Sequence, residues 1–479
     1  MPSLNTPKLL KKFGAIFADA GYECYLVGGA TRNMILGLPT GDYDIATNAT
    51  PEEVQSLFRR VIPTGVDHGT VTVLFRGFQI EVTTYRIDGK YSDQRHPDDV
   101  TFVGSIDEDL KRRDFTMNAI ALDCVHGTVF DPLDGQSDIA SKTIRAIGNP
   151  EKRFSEDALR TLRAFRFAAQ LGFTIEPATI SAIGAHAPEL SHVSAERIRD
   201  ELLKLLVSDS PSIGFSAMAT SGILRVILPE LDECRGVDQK GMHVYDVFDH
   251  SLAACDAVPA TDMVVRTAAL FHDIGKPRAK RIDESGTITF HRHEAISVEL
   301  ARNILRRLRC SREFEKDVLH LVDNHMFHYE SNWTDGAVRR FVHRVGPEYI
   351  TNLFSLRLAD SEAISGKKPI HFPESLAELG KRVDQIITAE DALTIGDLSV
   401  DGNDLSDFAG IPKNHQMGVV MRYLLESVLD DPALNTPQTL LTLARNFGSS
   451  EKSVGKSSSH SLPGQSGNLA KDQKLNLNR

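Results

Sequence analysis

The sequence predicts an α+β chain, a mixed α/β head followed by helical domains, and three observations carry that expectation. Between Tyr22 and Asp131, runs rich in Val, Ile, Thr, Tyr and Phe alternate with helical runs. Beyond Asn149 and Pro150 apolar residues recur every three or four positions, the helical period, down to Phe447. At 479 residues the chain exceeds what one hydrophobic core organises, so roughly two to four domains are expected.

Each element follows in order. The N-terminal stretch MPSLNTPKLLKKFGAIFADAGY lacks the layout of a secretory signal and reads as an amphipathic helix. Strands are expected in YECYLVGG, GTVTVLFRG, FQIEVTTYR and AIALDCVHGTVFDP, which Gly or Asp residues bound. Between them, TPEEVQSLFRRV reads as a helix capped by Thr50, with Glu53 three residues on. In the second part EDALRTLRAFRFAAQLGF, SAERIRDELLKLLVS and MVVRTAALFHD are the clearest helices. The last stretch, GSSEKSVGKSSSHSLPGQSGNLAKDQKLNLNR, has almost nothing to bury and is expected to be disordered.

Bulk composition excludes some classes of protein. Hydrophobic residues at 41% and charged residues at 25% are ordinary for a globular chain. No apolar run reaches the length of about 18 residues that a membrane span needs, so no membrane partner is expected. Five scattered cysteines without a CxxC pair point to free thiols and a cytoplasmic location. A net charge of -11 argues against a generally basic nucleic-acid-coating protein, though not against a local basic groove.

The stretch LVGGATRNMILGLPTGDYDIAT carries the first chemistry. Gly28 and Gly29 at a strand end let the backbone approach a phosphate, and a helix starting near Thr31 offers unpaired N–H groups to it. Arg32 would point into the same pocket, with a guanidinium suited to bidentate phosphate contact. Asp42 and Asp44 lie two apart on an expected strand, so both carboxylates project from one face and suit one or two Mg²⁺ ions. Glu81, mid-strand between Ile80 and Val82, faces either solvent or the same metal. Alone, a GG pair is a loop and a DxD a solvated turn; their combination is far more specific.

The segments VGGATRN, GDYDIAT, EVTTYR, DGKYSDQRHPDDVTF, KRRDFTMNAIALD, DPLDG and RFSEDALRTLRAFRFAAQLGF resemble successive motifs of bacterial class II tRNA nucleotidyltransferases, the CCA-adding enzymes. Poly(A) polymerases share most of them. The resemblance runs from about Gly21 to Leu206. It implies a polymerase-β-like head over 1–147, a helical neck over 148–235 and a tRNA-binding tail over 371–448, with 449–479 disordered. It also implies Mg²⁺-dependent addition of C, C and A to tRNA from CTP and ATP. Arg113 would meet the triphosphate or sugar, Asp114 the ribose, and Arg163 and Arg166 further nucleotide groups; Lys111 and Arg112 read as surface charge. The segment RIDGKYSDQRHPDDV corresponds to the family's flexible loop, which helps switch from C to A. Asn33 stands where the family usually has Asp.

In EDALR, the resemblance assigns Asp157 and Arg160 to the incoming base, and chemistry supports them. Cytosine and adenine each set an amino donor beside a ring-nitrogen acceptor, which one Asp and one Arg complement. Uracil and guanine present the opposite arrangement and would leave buried groups unpaired, at about 1–3 kcal/mol each. At i, i+3 on one helix the two residues would share a face; the alternative is a surface helix with ordinary ion pairs.

A second constellation follows. His250, the doublet His272-Asp273 in ALFHDIGKP, and Asp360 come in an order that resembles the HD phosphohydrolase superfamily, here over 236–370. His293 and His325 would match the additional ligands of two-metal members. Imidazoles and carboxylates together suit a second, transition-metal divalent ion, while the alternative is a helical body that uses them as caps and core hydrogen bonds. A poly(A) polymerase or A-only enzyme on the same scaffold, and an HD phosphohydrolase with an inactive head, are the competing readings. The KNHQMG stretch departs from the family's usual tail turn.

Overall fold

The computed structural model describes residues 5–88, 100–239, 244–365, 374–389 and 392–454. The expected C-to-A loop, Arg86–Val100, lies largely outside the described residues, as does most of the expected disordered tail. The chain forms two compact units: one runs through Phe327 and resumes at Thr351, the other takes His328–Ile350 and the chain from Glu374 on.

The head opens with α1 (Lys8–Asp19), whose apolar stripe buries Leu10, Phe13 and Phe17. Phe13 stacks on Phe58 at 4.8 Å and meets Phe75 edge-on at 5.2 Å, closing one side of the sheet. Then come β1 (Tyr25–Val27), α2 (Gly28–Leu36), β2 (Tyr43–Thr47) and α3 (Pro51–Leu57). Thr50 and Glu53 form a reciprocal capping box at the start of α3, as the sequence predicts. Next follow β3 (Val61–Gly65), β4 (Thr70–Phe75), β5 (Phe78–Thr84) and the hairpin of β6 (Arg86–Asp88) and β7 (Val100–Phe102). After α4 (Ile106–Lys111) come β8 (Ala121–Asp123), β9 (Val129–Phe130) and α5 (Gly135–Ala140). The main sheet has the order β3-β4-β5-β2-β1-β8-β9. The sequence reading missed β3, an edge strand holding Pro63 and no buried side chain, because edges need no apolar alternation.

Register places the chemistry. The parallel pairing of β2 with β5 sets Asp44 opposite Glu81, and the antiparallel pairing of β1 with β2 sets Val27 opposite Asp44. The turn at Gly28 therefore sits directly over the Asp44 carboxylate.

Beyond the head, β10 (Thr143–Ile144), α6 (Pro150–Glu156), α7 (Leu159–Leu171), β11 (Thr174–Ile175), α8 (Pro177–Ala185) and α9 (Ala195–Leu206) follow. The expectation that everything after Pro150 is helical is corrected twice. β11 returns to pair in parallel with β10, and Arg281–Ile282 forms a hairpin with Ile288–Thr289. Two-residue strands carry no readable period. The first unit is completed by the helices Val247–Ala257, Met263–Phe271, His293–Arg307 and Arg312–Asn324 and by most of Ile350–Ser365.

The second unit contains Asp335–Val345, Glu374–Thr388, Gly402–Ala409, His415–Asp430 and Pro437–Val454. Within KNHQMG, Asn414 caps the helix His415–Asp430 through the Gln416 N–H, so the atypical turn is a helix start. Among the described residues no helix is long and apolar enough to cross a membrane.

Candidate active site and metal centre

A cleft of about 790 Å³ gathers Gly28, Gly29, Arg32, Asp42, Asp44, Arg113, Asp114, Asp157, Arg160, Arg163 and Arg166 along its walls. Gly28 has φ +70°, and a Cβ there would lie 3.4 Å from both Arg113 Nη1 and Asp44 Oδ2. The left-handed backbone favours glycine here, and the two charged groups lie within ordinary contact of the turn. Helix α2 begins at Gly28 itself rather than near Thr31, which brings its N-terminal N–H groups right to the turn.

Asp44 lies in β2, but Asp42 precedes the strand and is exposed; the pair on one strand is corrected to one strand residue and one loop residue. Glu81 is exposed beside Asp44, while Ile80 and Val82 turn into the core. Burial, Glu81 and Asp42 push the Asp44 carboxyl up to about 6 against the pull of Arg113. A partly buried carboxylate cluster short of positive charge is a fit for a divalent cation.

The arginines are held tightly. Arg32 donates from Nη1 to Asn118 at 2.7 Å and from Nη2 to the Asn33 side-chain oxygen at 2.9 Å. Asn33 thus keeps an acceptor where the family has Asp, without the charge. Burial, then the neighbouring Arg166, draws the Arg32 guanidinium down to about 10. Arg113 donates to Asp109 at 3.0 Å, and its Nε is buried with no hydrogen-bond partner among the described residues. Asp114 accepts from Phe115 N, Asn118 and Arg163 at 2.8, 3.1 and 2.7 Å. Burial alone would raise its pKa, but Arg163 and these bonds hold it well below the usual carboxylate range.

The reading of EDALR needs one correction. Asp157 and Arg160 do not share a helix face, because α6 ends at Glu156 and α7 starts at Leu159. Asp157, with φ -150°, caps the break: its Oδ1 accepts from Leu159 N at 3.0 Å and its Oδ2 from Arg197 at 2.8 Å. Arg160 donates to Glu156 at 2.7 Å and to the Arg112 carbonyl at 3.1 Å. Asp favours local backbone bonds over helix continuation, which explains the break.

Several residues at this site escaped the sequence reading. Phe167 has the Arg32, Arg163 and Arg166 guanidiniums at 5.0, 5.4 and 4.1 Å from its ring centre. Glu201 on α9 accepts from Arg166 at 2.6 Å. Arg112 lines the cleft, unlike Lys111, whose side chain is 57% exposed. The signal for Arg197 and Glu201 was a polar face on an amphipathic helix, which does not say what it faces.

The six residues of the second constellation do converge. His250 Nε2 lies 3.0 Å from Asp360 and 3.5 Å from Asp273 Oδ2, and His272 Nε2 lies 3.1 Å from Asp273 Oδ2. His293 and His325 approach the other oxygen, Oδ1, at 3.1 and 3.9 Å. All six are buried. Nδ1 of His272, His293 and His325 meets the carbonyls of Ala269, Phe290 and Val322 at 2.7, 2.9 and 2.7 Å. A carbonyl only accepts, so Nδ1 carries the proton and a neutral ring turns its Nε2 lone pair toward Asp273. Lone pairs facing carboxylate oxygens require a cation between them, so the donor set fits a metal ion. Without one a proton substitutes: burial opposes it, but Asp273 and Asp360 push His272 up to about 10, while burial and charged His272 bring His325 down to about 3.

Close packing builds this centre. A Cβ at Gly275 would stand 2.3 Å from the His293 carbonyl oxygen, so glycine lets the helix start at His293 lie against the HDIGKP turn. Lys276 donates within 2.6 Å of Asp273 and Arg357 pairs with Asp360 at 2.5 Å; neither was foreseen.

Comparison with known proteins agrees with this layout. Residues 24–145 match the model of the Poly A polymerase head domain, 172–235 that of the probable RNA and SrmB-binding site of polymerase A, and 241–363 that of the HD domain. The chain is 52% identical over 213 residues to a CCA-adding enzyme of Geobacillus thermodenitrificans, covering 44% of this chain and 52% of that protein. It is 53% identical over 198 residues to one from Lacticaseibacillus paracasei, covering 41% and 48%. These matches span about half the length of the curated relatives. The fold matches the Bacillus stearothermophilus CCA-adding enzyme in complex with CTP, with TM-score 0.72 and 28% identity over 93% of this chain and 98% of that one. Nucleotidyltransferase-head and HD families use divalent metals. The chain thus carries, in order, a segment similar to the Poly A polymerase head domain, one similar to the RNA-binding region of polymerase A, and one similar to the HD domain.

Proposed function

We propose that this protein is a tRNA nucleotidyltransferase that adds C, C and A to the 3′ end of tRNA from CTP and ATP without a nucleic-acid template, releasing pyrophosphate. One observation carries the reading: a single cleft holds the Asp42 and Asp44 carboxylates and the Asp157 and Arg160 side chains. Asp42, Asp44 and Glu81 would hold Mg²⁺, which when bound activates the attacking hydroxyl and stabilises charge on the leaving pyrophosphate. The open turn at Gly28 and Gly29, with Arg32 and Arg113, binds the triphosphate; Asp114 faces the ribose, and Arg163 and Arg166 add positive charge to the same wall. Asp157 accepts from the amino group that cytosine and adenine share, and Arg160 donates to the ring nitrogen beside it. A cytoplasmic location belongs to the same reading and is supported by the free cysteines.

The test offers purified protein and Mg²⁺ three tRNA transcripts, ending before CCA, after C and after CC. Three ordered additions followed by a stop are expected. Addition to the CC end alone would mean an A-only enzyme, and long adenosine tails a poly(A) polymerase.

A second activity is proposed for the HD centre, because three imidazole lone pairs are aimed at one carboxylate. His250, His272, Asp273 and Asp360 would hold a divalent transition metal, with His293 and His325 as ligands of a second, and the chemistry supplied would be phosphoester hydrolysis. Hydrolysis of a generic phosphodiester that His272→Ala abolishes, with nucleotide addition intact, is the expected result.

A further inference from the structure

At the HD centre one side chain keeps donors open toward its cleft. That cleft, of about 620 Å³, is lined by His272, Asp273 and Asp360 and by two cations beside them, Lys276 and Arg357. The two are used differently. The Lys276 side chain is 11% exposed, and its ammonium is spent on Asp273 Oδ2 and Gln239 Oε1 at 2.6 Å each. Arg357, on the helix Ile350–Ser365, has 30% of its side chain open to solvent. It donates from Nη1 alone to Asp360 Oδ2, at 2.5 Å. A guanidinium carries five N–H groups, and the other four have no hydrogen-bond partner among the described residues.

An arginine that only holds a carboxylate usually meets it fork to fork, two N–H groups on two oxygens. Here a single oxygen is shared. Asp360 Oδ1 faces the other way, 3.0 Å from His250 Nε2 and 3.7 Å from His272 Nε2. The Asp360 carboxylate therefore stands between the ligand set and the guanidinium, and a phosphoryl group seated against that set comes within reach of the open N–H groups. In phosphodiester hydrolysis a water oxygen bonds to phosphorus and the ester P–O bond breaks; the water gives up a proton and the departing alcohol oxygen takes one. Charge on the non-bridging oxygens has to be met by fixed donors throughout.

We propose that Arg357 is a catalytic residue of the HD centre, donating from its open N–H groups to a non-bridging oxygen of the phosphoryl group under attack. The inference rests on the phosphoester-hydrolysis reading of that centre. It gives the helix that supplies Asp360 a second task, one turn earlier.

The test uses full-length protein dialysed after Mn²⁺ loading, with bound metal, affinity for inorganic phosphate and hydrolysis of a generic phosphodiester measured on each sample. His272→Ala supplies the baseline for metal and phosphate held by the head. Arg357→Ala should keep its metal, bind phosphate at the HD centre roughly tenfold more weakly and lose roughly 100-fold in kcat. Arg357→Gln, which keeps the length of the side chain, is the second variant and should show the same losses. Metal lost in step with activity in both variants would make Arg357 a support for Asp360 and overturn the proposal, as would unchanged phosphate affinity and kcat. Wild type holding no more metal and phosphate than His272→Ala would overturn the HD reading itself, and the inference with it.

Discussion

Asp44 on β2 and Glu81 on β5 lie directly opposite each other in parallel register, two carboxylates on neighbouring strands with Asp42 one step away. Their mutual repulsion is part of the site. Burial, and then this repulsion, push the Asp44 carboxyl up to about 6 in the absence of a cation, so a bound divalent ion relieves electrostatic strain as it supplies charge.

This sets a pH dependence with a defined sign. Asp44 holds its proton more tightly folded, up to about 6, than the ordinary value of 3.8. Its contribution to stability is therefore present below 3.8 and is lost as the pH rises through about 6. In metal-free protein the melting temperature of wild type should fall across that window relative to Asp44→Asn. At pH 7, Mg²⁺ should raise the melting temperature of wild type and leave that of the variant nearly unchanged.

Replacing Arg160 by Ala removes the donor proposed for the base's ring nitrogen, while Glu156 and the Arg112 carbonyl keep Arg153 as a donor. The expected result is a loss of roughly 10- to 100-fold in kcat/KM for both CTP and ATP, one or two charged hydrogen bonds. UTP incorporation, measured in the same assay, should rise relative to CTP. Retained discrimination against UTP would count against this residue as a base reader.

Glu201 and Arg166 are both buried and 2.6 Å apart. Glu201→Ala leaves Arg166 beside Arg32 and Arg163 on the Phe167 ring, with Asp114 as the nearest counter-charge described. Breaking such a buried pair costs about 3 kcal/mol or more. Urea denaturation should show that loss, and the same variant should show weaker nucleotide binding.

In the HD centre, Asp273→Asn removes the carboxylate that both metal-ligand groups share. Elemental analysis after dialysis should find bound transition metal reduced to a trace, with the nucleotide addition proposed for the head retained. Gly275→Ala should lower the metal content too, because its Cβ would collide with the His293 carbonyl. Unchanged metal content in both variants would rule out this centre as the binding site.

Residues whose partners lie close in sequence were legible there. Thr50 and Glu53 cap a helix, the Gly28 turn precedes Asp44, and the His272-Asp273 doublet meets its histidines because the motif order is itself informative. Residues defined by a distant partner were legible only where a motif order names them, as for His250 and Asp360, and not elsewhere. Arg197 is forty positions from Asp157 and reads as one more charge on an amphipathic helix. Phe167 reads as core, although three arginines surround it. The break at Asp157 was hidden because EDALRTLRAFRF has helical periodicity throughout; only the Asp side chain's bond to Leu159 N interrupts it.

The pairing of β10 with β11 reaches beyond its two residues per strand. Everything between them, including Asp157 and all of α7, is a closed excursion whose two ends are stitched to each other. A template made of nucleic acid moves along as it is copied. One made of protein has to serve successive additions while staying still, and a reading helix tied down at both ends has no slack with which to follow the growing strand. Under the proposed function, motion between additions falls to the RNA, and a polypeptide cut after Ile147 would keep β10 but lose both its partner strand and the proposed reader.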